Sequence, residues 1–425
     1  MSYPRVLQIE PTNKCNLNCI MCVRNTWHNE QLRDLDYKTY TRLIDESVNR
    51  LKRIALYGFG EPLVNHRFEN MVSYARTILG DSVKILTVTN GTMFVEDRAR
   101  KILDAGIDEI AFSIETFDKL KLYRIRIGAE NYDVLTNLRE LLRLKKEYDV
   151  RVGIATVIMR SNYKELPKMV LEAANMGVDF IVFSHLVPYY ESMVSEMAYT
   201  LASKQAIMMI EKLGVEVEDL GRKAVYDVLS QIYSGRSTGA KVQYLLLWKK
   251  LSEKNYSINP DIVKDVLQKK RFLNDVEKTL EEARKIAKEK GIEARIPSVY
   301  ADANNRSCPY INEDAAMVTA AGDVVPCMDF AYAHPLYVNG HVKWIKKIVF
   351  GNLREKNMEE IWNSQRFVEF RKVRKNMSKT IPWCADCPFS TRYCWYVQDN
   401  SYDCYGNETG CNECIYSAGL AHCII

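Results

Sequence analysis

Residues 5–22 read Arg5-Val6-Leu7-Gln8-Ile9-Glu10-Pro11-Thr12-Asn13-Lys14-Cys15-Asn16-Leu17-Asn18-Cys19-Ile20-Met21-Cys22. A strand-like run, Arg5–Glu10, is followed at once by a loop with the spacing C-x-x-x-C-x-x-C. Three thiolates this close can hold three irons of a cubane cluster from one loop. The fourth iron then has no protein ligand and is free to chelate the amino and carboxylate groups of a small molecule and pass it an electron. A zinc site is the alternative, but zinc usually takes paired C-x-x-C knuckles and a fourth ligand.

Outward from this loop the same unit repeats. Strand-like runs occur at Ile54–Tyr57, Lys84–Thr89, Glu109–Ile114, Val150–Ile158 and Phe180–Ser184. Amphipathic helical stretches lie between them, at Tyr37–Lys52, Phe68–Leu79, Val95–Asp104, Tyr132–Lys146 and Tyr163–Asn175. Apolar strands alternating with helices predict a parallel sheet. Six βα units in order predict an α/β fold, a partial (β/α)6 barrel of the TIM type, over residues 1–190. In such folds the reactive groups belong at the C-terminal ends of the strands. Residues 191–300 are Lys-, Glu- and Leu-rich. Their helical periodicity at Ser203–Lys212, Arg222–Ile232, Gln243–Ser252 and Leu273–Lys288 predicts a helical insertion followed by the last barrel helix. That insertion reads as a solvated cap, a lid or a partner-docking surface. Residues 301–425 form a small Cys-rich domain.

Composition narrows the function classes. Lys+Arg 59 against Asp+Glu 54 gives a net charge of +5, too small an excess to argue for nucleic acid. No apolar run is long enough to span a bilayer, and the N-terminus lacks a signal-peptide pattern, so the expected location is cytoplasmic, with no membrane partner. Twelve cysteines in a reducing compartment read as metal ligands or catalysts rather than disulfides. Three sit before residue 23 and nine after residue 307. This predicts two metal-binding regions on a Cys-free scaffold.

The N-terminal loop resembles the signature of the radical S-adenosylmethionine superfamily, and further matches follow in order. Gly58-Phe59-Gly60-Glu61-Pro62 resembles the family's G-G-E-P turn, which meets the amino group of the methionine moiety. Thr89-Asn90-Gly91-Thr92 resembles its T-N-G segment. Ser113-Ile114-Glu115 resembles S-I-D, with glutamate in place of aspartate. Arg124-Ile125-Arg126-Ile127-Gly128 resembles I-R-G-G, in which the arginine, here Arg126, reaches the cofactor's carboxylate. Thr156–Asn162 ends the fifth strand in a similar way, and Ser184-His185-Leu186 the sixth, where Leu186 would touch adenine. The resemblance implies that Cys15, Cys19 and Cys22 hold a catalytic [4Fe–4S] cluster. It also implies that Gly58, Gly60, Glu61, Asn90, Ser113, Glu115, Arg126, Thr156 and Leu186 bind S-adenosylmethionine. The implied reaction is reductive cleavage of that cofactor to a 5′-deoxyadenosyl radical, which takes a hydrogen atom from the substrate; a low-potential donor such as ferredoxin would supply the electron.

The C-terminal region opens with Cys308-x(13)-Gly322-x(4)-Cys327 and continues with Cys384-Ala385-Asp386-Cys387, Cys394, Cys404, Cys411, Cys414 and Cys423. It resembles the SPASM extension of radical enzymes, which holds one or two auxiliary [4Fe–4S] clusters. By that resemblance Cys308 and Cys327 begin one cluster, and Cys384, Cys387 and Cys394 hold most of another. Cys404 best matches the residue that crosses back to the first. Two cubanes need eight thiolates and nine are present, so one is spare or Cys411-x-x-Cys414 serves another metal. Asp329, close after Cys327, is a candidate base or a solvated loop carboxylate.

SPASM enzymes mostly modify peptides or proteins. Many peptide modifiers carry a leader-binding domain before the barrel, for which no room is expected here because the first strand starts near residue 5. The tail from Asp403 to Cys423 resembles that of radical maturases associated with tungsten-containing aldehyde oxidoreductases. Three functions are thus in view: maturation of a tungsten–pterin oxidoreductase or its cofactor, modification of a substrate peptide, and non-catalytic iron–sulfur electron transfer. The ordered matches at Glu61, Asn90, Ser113 and Arg126 weigh against the third.

Overall fold

The computed structural model describes residues 2–213, 217–253, 257, 259–390 and 394–422. The six expected strands form and pair in chain order, all parallel: β1 (Val6–Ile9), β2 (Arg53–Leu56), β3 (Lys84–Thr89), β4 (Glu109–Ser113), β5 (Arg151–Ile158) and β6 (Phe180–His185). Their side chains are buried on both faces, as a parallel sheet covered by helices requires.

The helix Val134–Leu144 shows how the cover is built. Val134, Leu135, Leu138, Leu141 and Leu144 recur at helical spacing and are all buried. Asp133 starts the helix by accepting a hydrogen bond from the Thr136 amide. Each buried aliphatic side chain contributes about 1.5–3 kcal/mol, and Leu138→Ala would cost about 2–5 kcal/mol.

The sheet does not stop at six strands. Beyond β6 lies β7's successor in sequence: β7 (Thr200–Ser203) stands apart, and β8 (Glu293–Arg295) extends the sheet in parallel. β7 pairs instead with β9 (Tyr300–Ala301), so the segment expected to open the helical insertion begins with a strand. At the other edge β10 (Ala315–Val318) pairs in parallel with β1, with Val6 opposite Ala315 and Ile9 opposite Val318. Then β11 (Asp323–Val325) follows antiparallel. A separate hairpin, β12 (His334–Val338) and β13 (His341–Ile345), turns at Asn339-Gly340, both with positive φ, the two-residue turn that matches strand twist. β14 (Gly351–Asn352) completes the ten-stranded sheet beside β11.

The Cys-rich region is therefore rooted in the barrel sheet itself. Cys308 precedes β10 by seven residues and Cys327 follows β11 by two. The expected insertion helices are present at Lys204–Leu213, Val217–Ser234 and Ala240–Ser252, Pro260–Gln268 adds one that was not expected, and the long helix Lys270–Lys290 packs on Leu166–Met176. A further helix, Lys119–Ile125, was not expected from the pattern. It has only seven residues, and its start depends on Asp118, whose carboxylate accepts from the Leu120 and Lys121 amides. It delivers Arg126. No helix among the described residues is long and apolar enough to cross a membrane.

Candidate functional site

The cysteine loop is held at the C-terminal mouth of the sheet by its neighbours. The Glu61 amide donates to Lys14 O at 2.8 Å, the Asn18 amide to Ile127 O at 2.9 Å and the Ile20 amide to Ile125 O at 2.9 Å. Asn90 Nδ2 donates to Asn16 Oδ1 at 2.9 Å, and Asn16 Nδ2 to Thr92 Oγ1 at 2.8 Å. The glycines of the Gly58–Pro62 turn face this loop and the first strand. A Cβ on Gly60 would overlap Thr12 O and come within 2.6 Å of Lys14 O; one on Gly58 would overlap the Glu10 side chain.

Glu61 is fully buried. It accepts from Thr89 Oγ1 and the Asn90 amide, both at 2.7 Å, and from the Leu63 amide at 3.1 Å. Burial pushes its carboxyl up, and those donors oppose the shift. In the structure Glu61, Asn90 and the two glycines thus brace the loop.

Cys15, Cys19 and Cys22 are electrostatic neighbours. Burial raises all three thiols, Cys19 to about 12. Donors nonetheless point at the sulfurs: the Leu17 amide at 3.4 Å and Asn90 Nδ2 at 3.7 Å from Cys15, and Arg126 Nη1 at 3.8 Å from Cys19. A desolvated thiolate needs positive charge, and iron supplies it. Among the described residues no three His, Cys, Asp or Glu side chains converge as the shell of one metal ion does. The open triad fits a cubane, whose irons and sulfides stand between the thiolates.

Glu115 takes neither a solvent nor a cavity position. It is fully buried and grips Arg126 with two hydrogen bonds, Nε–Oε2 and Nη2–Oε1, both 2.6 Å. Burial works against the Arg126 charge, but Glu115 and the Cys19 thiol more than offset it and hold the guanidinium pKa up.

Next to the loop, a cavity of about 270 Å³ opens over the strand ends. Its wall includes Ser113, Arg126, Thr156 and Leu186 from the expected set, and Asp329 from the C-terminal region. Gly58, Gly60, Glu61, Asn90 and Glu115 are not among its lining residues. The sequence reading missed several other lining residues. They include Tyr57, Phe59, Met328, Tyr189, His185, Tyr416 and His422. The tail reaches the cavity because the His185 amide donates to Leu420 O at 3.1 Å and the His422 amide to Ser184 Oγ at 3.1 Å. Burial pushes His185 down to about 3, so its ring is neutral, with Nε2 3.0 Å from Ser298 O.

Glu10, at the end of β1, was also missed. It is buried and ties the barrel to the C-terminal region, accepting from the Phe59 amide at 2.9 Å, the Ala320 amide at 3.0 Å and the Tyr332 hydroxyl. Trp27, Phe59 and Tyr332 pack over this junction, Phe59 edge-on to both other rings and the Trp27 and Tyr332 centroids 4.3 Å apart.

Eight C-terminal thiols fall in two sets of four. Cys327 senses the charges of Cys308, Cys411 and Cys414, and Cys414 those of Cys411 and Cys308. Cys384 senses Cys387, Cys387 senses Cys394, and Cys404 senses both Cys387 and Cys394. By these electrostatic neighbours Cys404 groups with Cys387 and Cys394, and Cys411 and Cys414 group with Cys308 and Cys327. Along the chain the four thiols from Cys384 to Cys404 lie between Cys327 and Cys411, so spacing alone does not pair the ends of the first group. Cys423 lies outside the described residues. Asp329 stands between the first set and the cavity: it is an electrostatic neighbour of Cys327 and Cys414, and His334 Nε2 lies 3.6 Å from it.

Two family models match the chain. Residues 9–173 match the family model of the Radical SAM superfamily, and residues 308–388 that of SPASM, an iron–sulfur cluster-binding domain. The chain is 26% identical over 429 residues to the tungsten-containing aldehyde ferredoxin oxidoreductase cofactor-modifying protein of Pyrococcus furiosus, covering 99% of this chain and 97% of that one. It is 27% identical over 205 residues to the Fe-coproporphyrin III synthase of Methanosarcina barkeri, covering 47% of this chain and 49% of that one. In fold it resembles Streptococcus suis SuiB bound to S-adenosylmethionine, with a TM-score of 0.51 at 13% identity, over 92% of this chain and 72% of that one.

Proposed function

As this chain is a radical S-adenosylmethionine enzyme with a SPASM iron–sulfur domain, we propose that it modifies a tungsten–pterin cofactor or the oxidoreductase that carries it. The observation that supports this most is the match to a cofactor-modifying protein over 99% of the chain, insertion and tail included. Its cofactors are iron–sulfur clusters and S-adenosylmethionine. Together, when bound, they supply a 5′-deoxyadenosyl radical for hydrogen abstraction.

The chain's own residues divide the remaining work. Cys15, Cys19 and Cys22 hold the catalytic cluster. Glu115 keeps the Arg126 fork oriented toward the carboxylate it is to meet, and Ser113, Thr156 and Leu186 form the wall along the cofactor. Tyr57, Phe59, Tyr189 and Tyr416 enclose the cavity and exclude water from a reactive radical. Asp329, at the cavity edge, would serve as a base toward a substrate bound there. Cys308, Cys327, Cys411 and Cys414 hold one auxiliary cluster; Cys384, Cys387, Cys394 and Cys404 hold the other. Cys423 is the spare thiol. A low-potential donor such as ferredoxin reduces the enzyme in the cytoplasm, where twelve thiols stay reduced.

The test is to produce the tungsten oxidoreductase of the same cell with and without this protein. Loss of activity and a changed cofactor mass without it are expected; a fully active partner with an unchanged cofactor overturns the reading. Modification of a peptide is the alternative outcome, read as a mass change on the peptide.

A further inference from the structure

Arg374 closes the helix Gln365–Arg374 and is the largest fully buried side chain among the described residues. Its Nε donates to Cys411 Sγ at 3.2 Å, Nη1 to Phe370 O at 3.0 Å, and Nη2 to Thr409 O. Its guanidinium carbon lies 3.5 Å from the Phe370 ring centroid. Among the described residues no carboxylate pairs with it. A buried guanidinium without a counter-charge is costly. Neutral thiols do not provide one; thiolates around an iron–sulfur core do.

The second set of thiols is built differently. Cys384 accepts from a neutral amide, Asn412 Nδ2, at 3.0 Å. The ammonium nearest it, Lys343, is already matched by Glu413 at 3.4 Å and by Asn412 Oδ1 at 2.6 Å. Arg306 is an electrostatic neighbour of Cys414, Cys384 and Cys411, but its hydrogen bonds go to the carbonyls of Ala303, Pro382, Met377 and Ile381 rather than to a thiol. Asp329 opposes Arg374 from the cavity side of the first set, but it makes no hydrogen bond to a thiol among the described residues. The direct contact to Cys411 therefore sets the sign.

Resting on the two-set reading above, we propose that Arg374 is a positioning residue that raises the reduction potential of the cluster held by Cys308, Cys327, Cys411 and Cys414. Charge near a cluster and hydrogen bonds to its sulfurs are the protein's main levers on that potential. A fixed cation stabilises the reduced, more negative state. The set so treated is the one that borders the cavity through Asp329. The cavity side of the domain is thereby made the better electron acceptor than its surroundings alone would allow. A purely structural Arg374 would do no more than pin Thr409 to the end of its helix.

The experiment uses full-length, anaerobically reconstituted protein with Cys15, Cys19 and Cys22 changed to alanine, so that only the C-terminal clusters titrate. Iron content and EPR-monitored reduction midpoints are compared for Arg374, Arg374→Lys and Arg374→Gln. With about eight irons in each, the expected result is one midpoint lowered by Arg374→Gln and less so by Arg374→Lys, the other unmoved. Full iron with both midpoints unmoved overturns the tuning role, and so does loss of iron in both variants, which marks Arg374 as structural. No C-terminal iron in the parent overturns the two-set reading itself, and the tuning role with it.

Discussion

The Glu115–Arg126 pair offers the sharpest separation of stability from function. Two charge-assisted hydrogen bonds of 2.6 Å join side chains that are fully and nine-tenths buried. With charge centres roughly 4 Å apart and an effective dielectric of about 20, their attraction is about 4 kcal/mol. Removing one partner strands the other, so Glu115→Met and Arg126→Met should each cost about 3–5 kcal/mol. Replacing both with methionine strands nothing, and the double variant should unfold near the wild-type denaturant concentration. The assay is anaerobic urea unfolding of the apo chain followed by circular dichroism. Alongside it, S-adenosylmethionine binding and 5′-deoxyadenosine release are measured on reconstituted protein. The double variant should be folded yet inert, because the Arg126 fork is gone. Additive losses, with the double variant about 6–10 kcal/mol down, would refute the pairing argument. Cofactor cleavage at the wild-type rate in the double variant would refute the role of Arg126.

Other perturbations follow from the same geometry. Gly60→Ala drives a Cβ into the Thr12 and Lys14 carbonyls, so the cysteine loop should lose its cluster, seen as about four irons fewer per chain. His185 is held neutral by burial, its pKa depressed from 6.5 to about 3. Between those values the unfolded chain binds a proton that the folded chain does not, so stability falls as pH falls. The loss from this group is about 2 kcal/mol from pH 7 to pH 5, and His185→Gln should flatten that limb in urea midpoints measured against pH. Asp329→Asn should leave 5′-deoxyadenosine formation within about twofold of wild type while product formation drops by about 10²-fold or more; equal loss of both would mean that Asp329 only supports the cofactor site. Cys423→Ala should keep all the iron, and a loss of about four irons would return that residue to a ligand set.

The barrel half was legible because each level of the sequence agreed with the next. Apolar runs such as Ile54–Tyr57 can only be two-sided strands, and the motif residues fall where such strands end. What the motifs touch was less legible. Glu61 and Asn90 sit at the expected strand ends; here the Glu61 carboxylate takes Thr89, Asn90 and Leu63, while Asn90 reaches Cys15 and Asn16. Glu115 illustrates the limit: one more methylene than aspartate lets its carboxylate reach Arg126, a contact eleven residues away that no local pattern encodes. Glu10 was invisible for a similar reason. Its partners, Phe59, Ala320 and Tyr332, come from three separate stretches of the chain.

The C-terminal thiols show what spacing along the chain does not carry. Cys411-Asn412-Glu413-Cys414 is a single turn that serves both sets. Its two cysteines face Cys308 and Cys327, while Asn412 donates to Cys384 and Glu413 neutralises Lys343. A motif read along the chain assigns such a turn to one site. The sheet decides otherwise, because β10 pairs with β1 and fixes Cys308 and Cys327 against the barrel. The tail, tied to β6 through His185, then has to pass beside them and brings Cys411 and Cys414 along. Partition of the eight thiols is thus a consequence of long-range strand pairing. It follows that breaking the β1–β10 ladder should release the Cys308 set before the Cys384 set. Val318→Pro, which removes the amide at the last position paired with Ile9, should therefore lower iron by about four per chain and silence only one auxiliary EPR signal. Simultaneous loss of both signals would show instead that the two sets fold as one unit.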